Sequence, residues 1–201
     1  MGSGEFYRDG QVTGRAFMIY GPESSGNRLL RRILIDGAGC AGDRDLEQRF
    51  DQRLPLAEDE PLIVWGRSVP GMVPRGNWPR FYDRDVGQAR KHGYEVFGLV
   101  LVRDWCCMVQ SQVDTEYKAG ANYGLNSQAA MDVYTRIFDA FERLAVSYMI
   151  VSYEALVMRP ERFVRRLFRD LGLDQVGEIE AVYDGNAKYY ERWANPNVRD
   201  A

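Results

Sequence analysis

Histidine is nearly missing from this 201-residue chain, with His92 the only one. Cysteine is scarce as well. Cys40, Cys106 and Cys107 make an odd count with two adjacent, which suits neither a disulfide framework nor a zinc-ligand spacing. A reducing cytoplasm is the simplest setting for such thiols, so a cytoplasmic location is expected. No apolar run approaches the roughly 18–20 residues that span a bilayer. An excess of one charge is lacking too. The formal net charge of −3 gives no overall pull towards nucleic acid or an anionic membrane, so neither is an expected partner. Any anion site must be a local arrangement of groups.

What is present is ordinary for a globular protein: 45% hydrophobic and 27% charged residues. The length suits one domain with a substantial core. The opening MGSGEF (1–6) has neither a basic flank nor an apolar segment and reads as a cloning remnant, not a signal peptide. A single domain is expected over 7–201.

Strand and helix patterns alternate along that domain. RAFMIYG (15–21) reads as a buried strand, followed by a Gly/Pro/Ser loop and a helix over 26–37. EPLIVWGRS (60–68) is a second strand, and VPGMVPRGNWP (69–79) is too rich in Gly and Pro to be regular structure. A helix is expected over 83–93, acidic early and basic late. YEVFGLVLVRD (94–104) is the strongest strand, with a helix starting near Trp105 and another over 127–145. SYMIVSY (147–153) supplies a fourth strand. PERFVRRLFRDLGL (160–173) opens with Pro160 and closes with Gly172, as a helix should. The C-terminal part reads as aromatic and irregular. This alternation implies an α/β fold, three layers around a mostly parallel sheet, with ligands at the carboxyl ends of the strands.

The loop after the first strand, Gly21 to Arg28, reads GPESSGNR. Both glycines fit the nucleotide-binding pattern G-x-x-x-x-G-K-[ST]. Asn27 stands in place of the lysine and Arg28 in place of the magnesium-binding hydroxyl. Backbone N–H groups at the helix start still offer an anion site. The cation for the β and γ phosphates and the metal-holding hydroxyl are both gone. A ligand with one phosphate-sized group there, and no metal, suits the loop. A plain strand-to-helix turn with Ser25 or Asn27 as N-cap explains it equally well. A second signal is Arg103 at the end of a buried strand, with Ser111 eight positions on, about two helical turns away. The pair can share one phosphate; alternatively, Arg103 forms a surface ion pair and Ser111 is an ordinary polar position.

Three segments in register resemble the sulfotransferase family, which uses 3′-phosphoadenosine 5′-phosphosulfate. GPESSGNRLL resembles its 5′-phosphosulfate loop, with Ser25-Gly26-Asn27-Arg28 at the family's Ser-Gly-Thr-Thr. VRDWCCMVQS resembles its 3′-phosphate motif, and VSYEALVMRPERFVRRLFRDLGL its Tyr-Glu segment. The resemblance covers roughly 17–173 and implies a P-loop-like fold and sulfuryl transfer to an acceptor hydroxyl or amine on a small molecule. It also implies 3′,5′-adenosine bisphosphate as product and no metal. Carried over, Ser24, Ser25, Gly26, Asn27 and Arg28 would hold the phosphosulfate, Arg103 and Ser111 the 3′-phosphate, and Tyr153 the adenine. Lys188 is the counterpart of a basic C-terminal contact, or else a plain surface lysine.

The chain also departs from the family. The loop lysine is replaced by Ser24, which leaves Arg28 to supply the cation, and the aromatic after the loop threonines by Leu29. The catalytic histidine expected at the end of the second strand is missing; Gly66, Arg67 and Ser68 stand there. A positioned general base contributes roughly 10²–10⁴ in rate. Glu23 is the candidate within the loop, although helix-dipole compensation accounts for it as well. Asp83 and Asp85 are candidates to flank an acceptor, or first-turn caps. His92 fits a helix end. The aromatic loop 69–82, with Met72, Arg75, Trp78, Arg80, Phe81 and Tyr82, is expected to cover the acceptor or to pack on itself. Cys106 and Cys107 read as packing residues. Two other functions suit the same residues: a P-loop small-molecule or nucleotide kinase, and a nucleotide-binding protein that has lost turnover.

Overall fold

The computed structural model describes residues 14–44, 60–69, 78–114, 127–179 and 182–194. In chain order the elements are β1 (Gly14–Pro22), α1 (Asn27–Ala38), β2 (Leu62–Val69), α2 (Trp78–Lys91), β3 (Tyr94–Val102) and α3 (Trp105–Asp114). There follow α4 (Ser127–Arg143), β4 (Ser147–Ser152), α5 (Tyr153–Met158), α6 (Pro160–Leu171) and α7 (Ala187–Ala194).

The four strands form one parallel sheet in the order β2-β1-β3-β4. Strand β1 is central and buried on both faces, which explains its nearly continuous apolar run. Successive side chains alternate. Ala16, Met18 and Tyr20 join Phe81, Val86 and Ala89 of α2 and Val133, Ile137 and Phe141 of α4 on one face. Phe17 and Ile19 face the other way, towards Leu30, Ile33 and Leu34 of α1 and Val164, Leu167 and Phe168 of α6. Two cores on opposite sides of the sheet make the three-layer α/β/α architecture expected from the sequence. Each large apolar side chain fully buried there contributes about 1.5–3 kcal/mol.

The chain runs from β1 through α1 to β2, then crosses back through α2 to β3 on the other side of β1. The helices α1 and α2 lie on opposite faces. The order therefore reverses at the carboxyl end of β1, where ligands bind in such sheets. Because all strands are parallel, Pro22, Val69, Val102 and Ser152 end on one edge, the register pairing Pro22 with Val69 and Val102 with Ser152.

Several expectations change. Helix α2 starts at Trp78, ahead of the expected 83. Pro79 falls in its first turn, where the missing N–H has no helical acceptor to lose. Phe81 and Tyr82 are consequently core residues, each 1% exposed, and do not cover an acceptor. Tyr82 meets Tyr20 edge-on, with centroids 5.0 Å apart. Met72 and Arg75 and the side chains of Trp78 and Arg80 lie outside the described residues. The Tyr-Glu segment after β4 is the short helix α5, capped by Ser152, whose Oγ accepts from the Ala155 N–H. The C-terminal stretch expected to be irregular contains α7. No described helix is long and apolar enough to cross a membrane.

Candidate functional site

The loop between β1 and α1 is built from its glycines outward. A side chain on Gly21 would collide with Ser25 Oγ and Asn27 Oδ1, its Cβ lying 2.6 and 2.8 Å from them. Gly26 has φ 101°, the left-handed region, and a Cβ there would lie 2.7 Å from the Tyr153 ring and 2.8 Å from Leu101. Ser24 is also left-handed, with φ 62°. Successive amides in a turn with left-handed residues form a concavity that suits an anion, the geometry of a nest.

Neither Ser25 nor Asn27 caps α1, contrary to that sequence expectation. Gly26 is the N-cap, without a side-chain bond. Ser25 is buried; its Oγ donates to Pro22 O at 2.7 Å and lies 3.0 Å from Asn27 Oδ1. The Asn27 amide turns inward, its two Nδ2 hydrogens shared among Gly21 O at 3.2 Å, Ser68 Oγ at 3.3 Å and Arg67 O at 3.4 Å. Asn27 therefore ties the ends of β1 and β2 together beneath the loop, so its side chain is not a ligand group. The Ser25 N–H is likewise used within the turn, bonding Pro22 O at 3.2 Å. The amides able to meet an anion are those at the head of α1, which helix geometry leaves without intrahelical acceptors.

From the far side, β3 and α3 hold the loop. Arg103 Nη1 donates to Ser24 O at 2.6 Å, and Gln112 Nε2 donates to Glu23 O at 2.7 Å. The carbonyls of residues 21 to 24 thus all accept bonds from the protein, and their negative ends are neutralised before any anion arrives. Arg103 also donates through Nε to Asn186 Oδ1 at 2.7 Å and through Nη2 to Gly185 O at 3.3 Å. Among the described residues its hydrogen-bond acceptors are all neutral oxygens, which leaves the guanidinium charge uncompensated by any direct ion pair.

Tyr153 is buried, with Arg103 over its ring at 4.6 Å and its hydroxyl accepting from Gly185 N at 2.9 Å. Burial raises its pKa, opposed by the Gly185 bond and the Arg103 charge. The ring backs the loop and Arg103, and no open face is offered to an adenine. Ser111 lies half-buried in α3, the residue before Gln112. Lys188 is exposed on α7, its ammonium 4.7 Å from the Tyr189 ring centroid. The Gln110 hydrogen bond, then Arg192 and Lys188, hold the Asp114 carboxyl below its usual range, which locates those cations near the last turn of α3. Glu23 is half-buried in the loop, and Arg28 is exposed in the first turn of α1.

Other candidates go elsewhere. His92 is exposed where α2 turns into β3, at the opposite end of the sheet. Nine residues of β3, about 3.3 Å each, separate it from the site. Asp83 pairs with Arg143 at 2.6 Å and joins α2 to α4. Asp85 is fully buried, accepting from Arg67 Nε at 2.7 Å, Tyr20 Oη at 3.1 Å and Trp65 Nε1 at 3.2 Å. Arg84 reaches its other oxygen at 3.1 Å. Since α2 starts at Trp78, neither aspartate is a first-turn cap. The Arg67 of β2, near where the family histidine would stand, is committed to this network. Burial and the Asp85 charge raise the Tyr20 pKa. Cys107 is buried, its pKa pushed up to about 11 by desolvation, whereas Cys106 is exposed and does not pack as expected.

Sequence reasoning missed Gln112, Glu154, Gly185 and Asn186 as parts of this site. Glu154 and Gln112 adjoin residues that the motifs single out. Nothing local in the sequence marks Asn186, which is 83 positions from its partner Arg103.

No protein-family model matches the sequence, and no curated protein matches it. Solved structures do match it. A sulfotransferase domain from the curacin biosynthetic pathway aligns over 87% of this chain and 79% of its own length, with a TM-score of 0.56 and 15% identity. A sulfotransferase domain from the Synechococcus PCC 7002 olefin synthase aligns over 93% of this chain and 86% of its own, with a TM-score of 0.55 and 14% identity. The chain therefore has the P-loop-like sulfotransferase fold, a likeness of architecture at low sequence identity.

Proposed function

We propose that this protein is a sulfotransferase that binds 3′-phosphoadenosine 5′-phosphosulfate without metal and transfers the sulfuryl group to a hydroxyl or amine of a small acceptor. The observation that carries the reading is the Arg103–Ser24 hydrogen bond, which puts an unneutralised cation against the anion loop on one edge of the sheet. The head of α1 holds the 5′-phosphosulfate. Arg103 and Ser111 take the 3′-phosphate, with Lys188 adding charge from α7. Tyr153 serves from beneath, keeping Arg103 and Gly26 in place.

In the transfer the acceptor oxygen or nitrogen bonds to sulfur as the sulfur–phosphate oxygen bond breaks. The acceptor proton passes to Glu23, and Arg28 stabilises the charge left on the 5′-phosphate. Most of the rate comes from positioning and from fixed dipoles aimed at that charge.

A kinase on the same scaffold is disfavoured by Asn27. Its side chain is buried in the tie between β1 and β2, where a kinase needs a lysine on the phosphates. A binding protein without turnover has a specific observation in its favour: Arg67 is locked onto Asp85 and no histidine stands beside it. A thermal-shift comparison with product analysis tests these readings. The sulfotransferase reading expects stabilisation by 3′,5′-adenosine bisphosphate, none from Mg-ATP, and sulfated product from an acceptor panel. Stabilisation by Mg-ATP alone overturns it, and donor binding without any transfer selects the binding-protein reading.

A further inference from the structure

We propose that Asn186 is a positioning residue that keeps the Arg103 charge available, and so sets a preference for ligands bearing a 3′-phosphate. The inference rests on the nucleotide reading above and names what makes that half of the site selective.

Asn186 is 1% exposed. Its Oδ1 accepts from Arg103 Nε at 2.7 Å, and its Nδ2 donates to Glu154 Oε1 at 3.1 Å. The same Glu154 oxygen accepts from Asp104 N at 2.7 Å. A carboxylate can only accept and a guanidinium can only donate. The amide between them therefore has one allowed orientation, oxygen to Arg103 and nitrogen to Glu154. Asn186 thus stands between the Glu154 carboxylate and the cation, holding the guanidinium without neutralising it. With Ser24 O and Gly185 O also bound, three of the five N–H donors of Arg103 are engaged among the described residues. Two remain, one on each terminal nitrogen, and a phosphate can take both as a bidentate pair.

A carboxylate in place of this amide would ion-pair with Arg103 and repel Glu154. A residue that only packed the α7 segment would affect every ligand alike. A residue that governs Arg103 affects the 3′-phosphate most.

The test is calorimetric titration of wild type, Asn186→Asp and Glu154→Gln with 3′,5′-adenosine bisphosphate and with 5′-AMP. Asn186→Asp should weaken the bisphosphate by about tenfold or more, the size of one charge-assisted bond, while 5′-AMP changes less than about twofold. Glu154→Gln, which frees the amide to turn over, should lower the same affinity ratio, and it carries the test alone if Asn186→Asp does not give a cooperative melt. An unchanged ratio, or equal weakening of both ligands, overturns the role of Asn186 and leaves the nucleotide reading standing. Wild type binding neither ligand overturns the nucleotide reading and this inference together.

Discussion

Arg103, at the end of β3, donates to the carbonyl of Ser24, 79 residues earlier in the loop after β1, at 2.6 Å. One bond thereby joins the two segments that resemble the donor-binding motifs of sulfotransferases. It does so because β1 and β3 are parallel neighbours whose carboxyl ends lie on the same edge. The loop is locked by its carbonyls, and among the described residues the cation doing the locking bonds only neutral oxygens.

Gly26→Ala should be among the most damaging small substitutions in the chain. A left-handed conformation costs a non-glycine residue about 1–2 kcal/mol, and the added methyl would also press on Tyr153 and Leu101. The expected outcome is a lower thermal midpoint together with weakened anion binding. An unchanged melt would mean that the loop readily takes another conformation.

Asn27→Ala removes the tie beneath the loop. Gly21 O and Arg67 O lose a donor in a buried setting, at about 1–3 kcal/mol for an unsatisfied group. Chemical denaturation should show a loss in that range. A loss of binding with full stability would instead make the Asn27 side chain a direct ligand.

Asp85→Ala should destabilise strongly and leave chemistry alone. Removing one partner of a buried ion pair costs about 3–5 kcal/mol, and Asp85 is fully buried against Arg67. The folded fraction should bind nucleotide as wild type does. Loss of turnover with unchanged stability would return Asp85 to the catalytic candidates.

Alkaline pH should weaken the fold through Cys40. Burial pushes its thiol up to about 12 from an unfolded value of 9.0. Between those values the unfolded chain releases a proton that the folded chain keeps, so stability falls as pH rises. The stability of wild type relative to Cys40→Ala, measured by urea unfolding from pH 8 to 11, should decline across that window. A constant difference would mean that the thiol is not desolvated.

Much of the architecture was legible because it follows from local pattern. Strand β1 reads as a buried run because both of its faces are covered, and α6 is bracketed by Pro160 and Gly172 at the expected places. The start of α2 was hidden by Pro79, which reads as a breaker although a first turn tolerates it. The loop glycines were legible, but the inward turn of Asn27 was not, since its acceptors include a strand 40 residues away. Asp85 reads as a candidate to flank an acceptor or as a first-turn cap, and only the fold reveals the arginine that pairs with it. The same holds for Asn186, whose function depends on a long-range contact.

The most direct test of the central claim is a calorimetric titration of 3′,5′-adenosine bisphosphate into wild type and Arg103→Ala without divalent metal. Charge-assisted bonds contribute about 1.5–3 kcal/mol each, so binding to wild type and a loss of about tenfold or more in the variant is the predicted result. Equal affinity in the two proteins would contradict it.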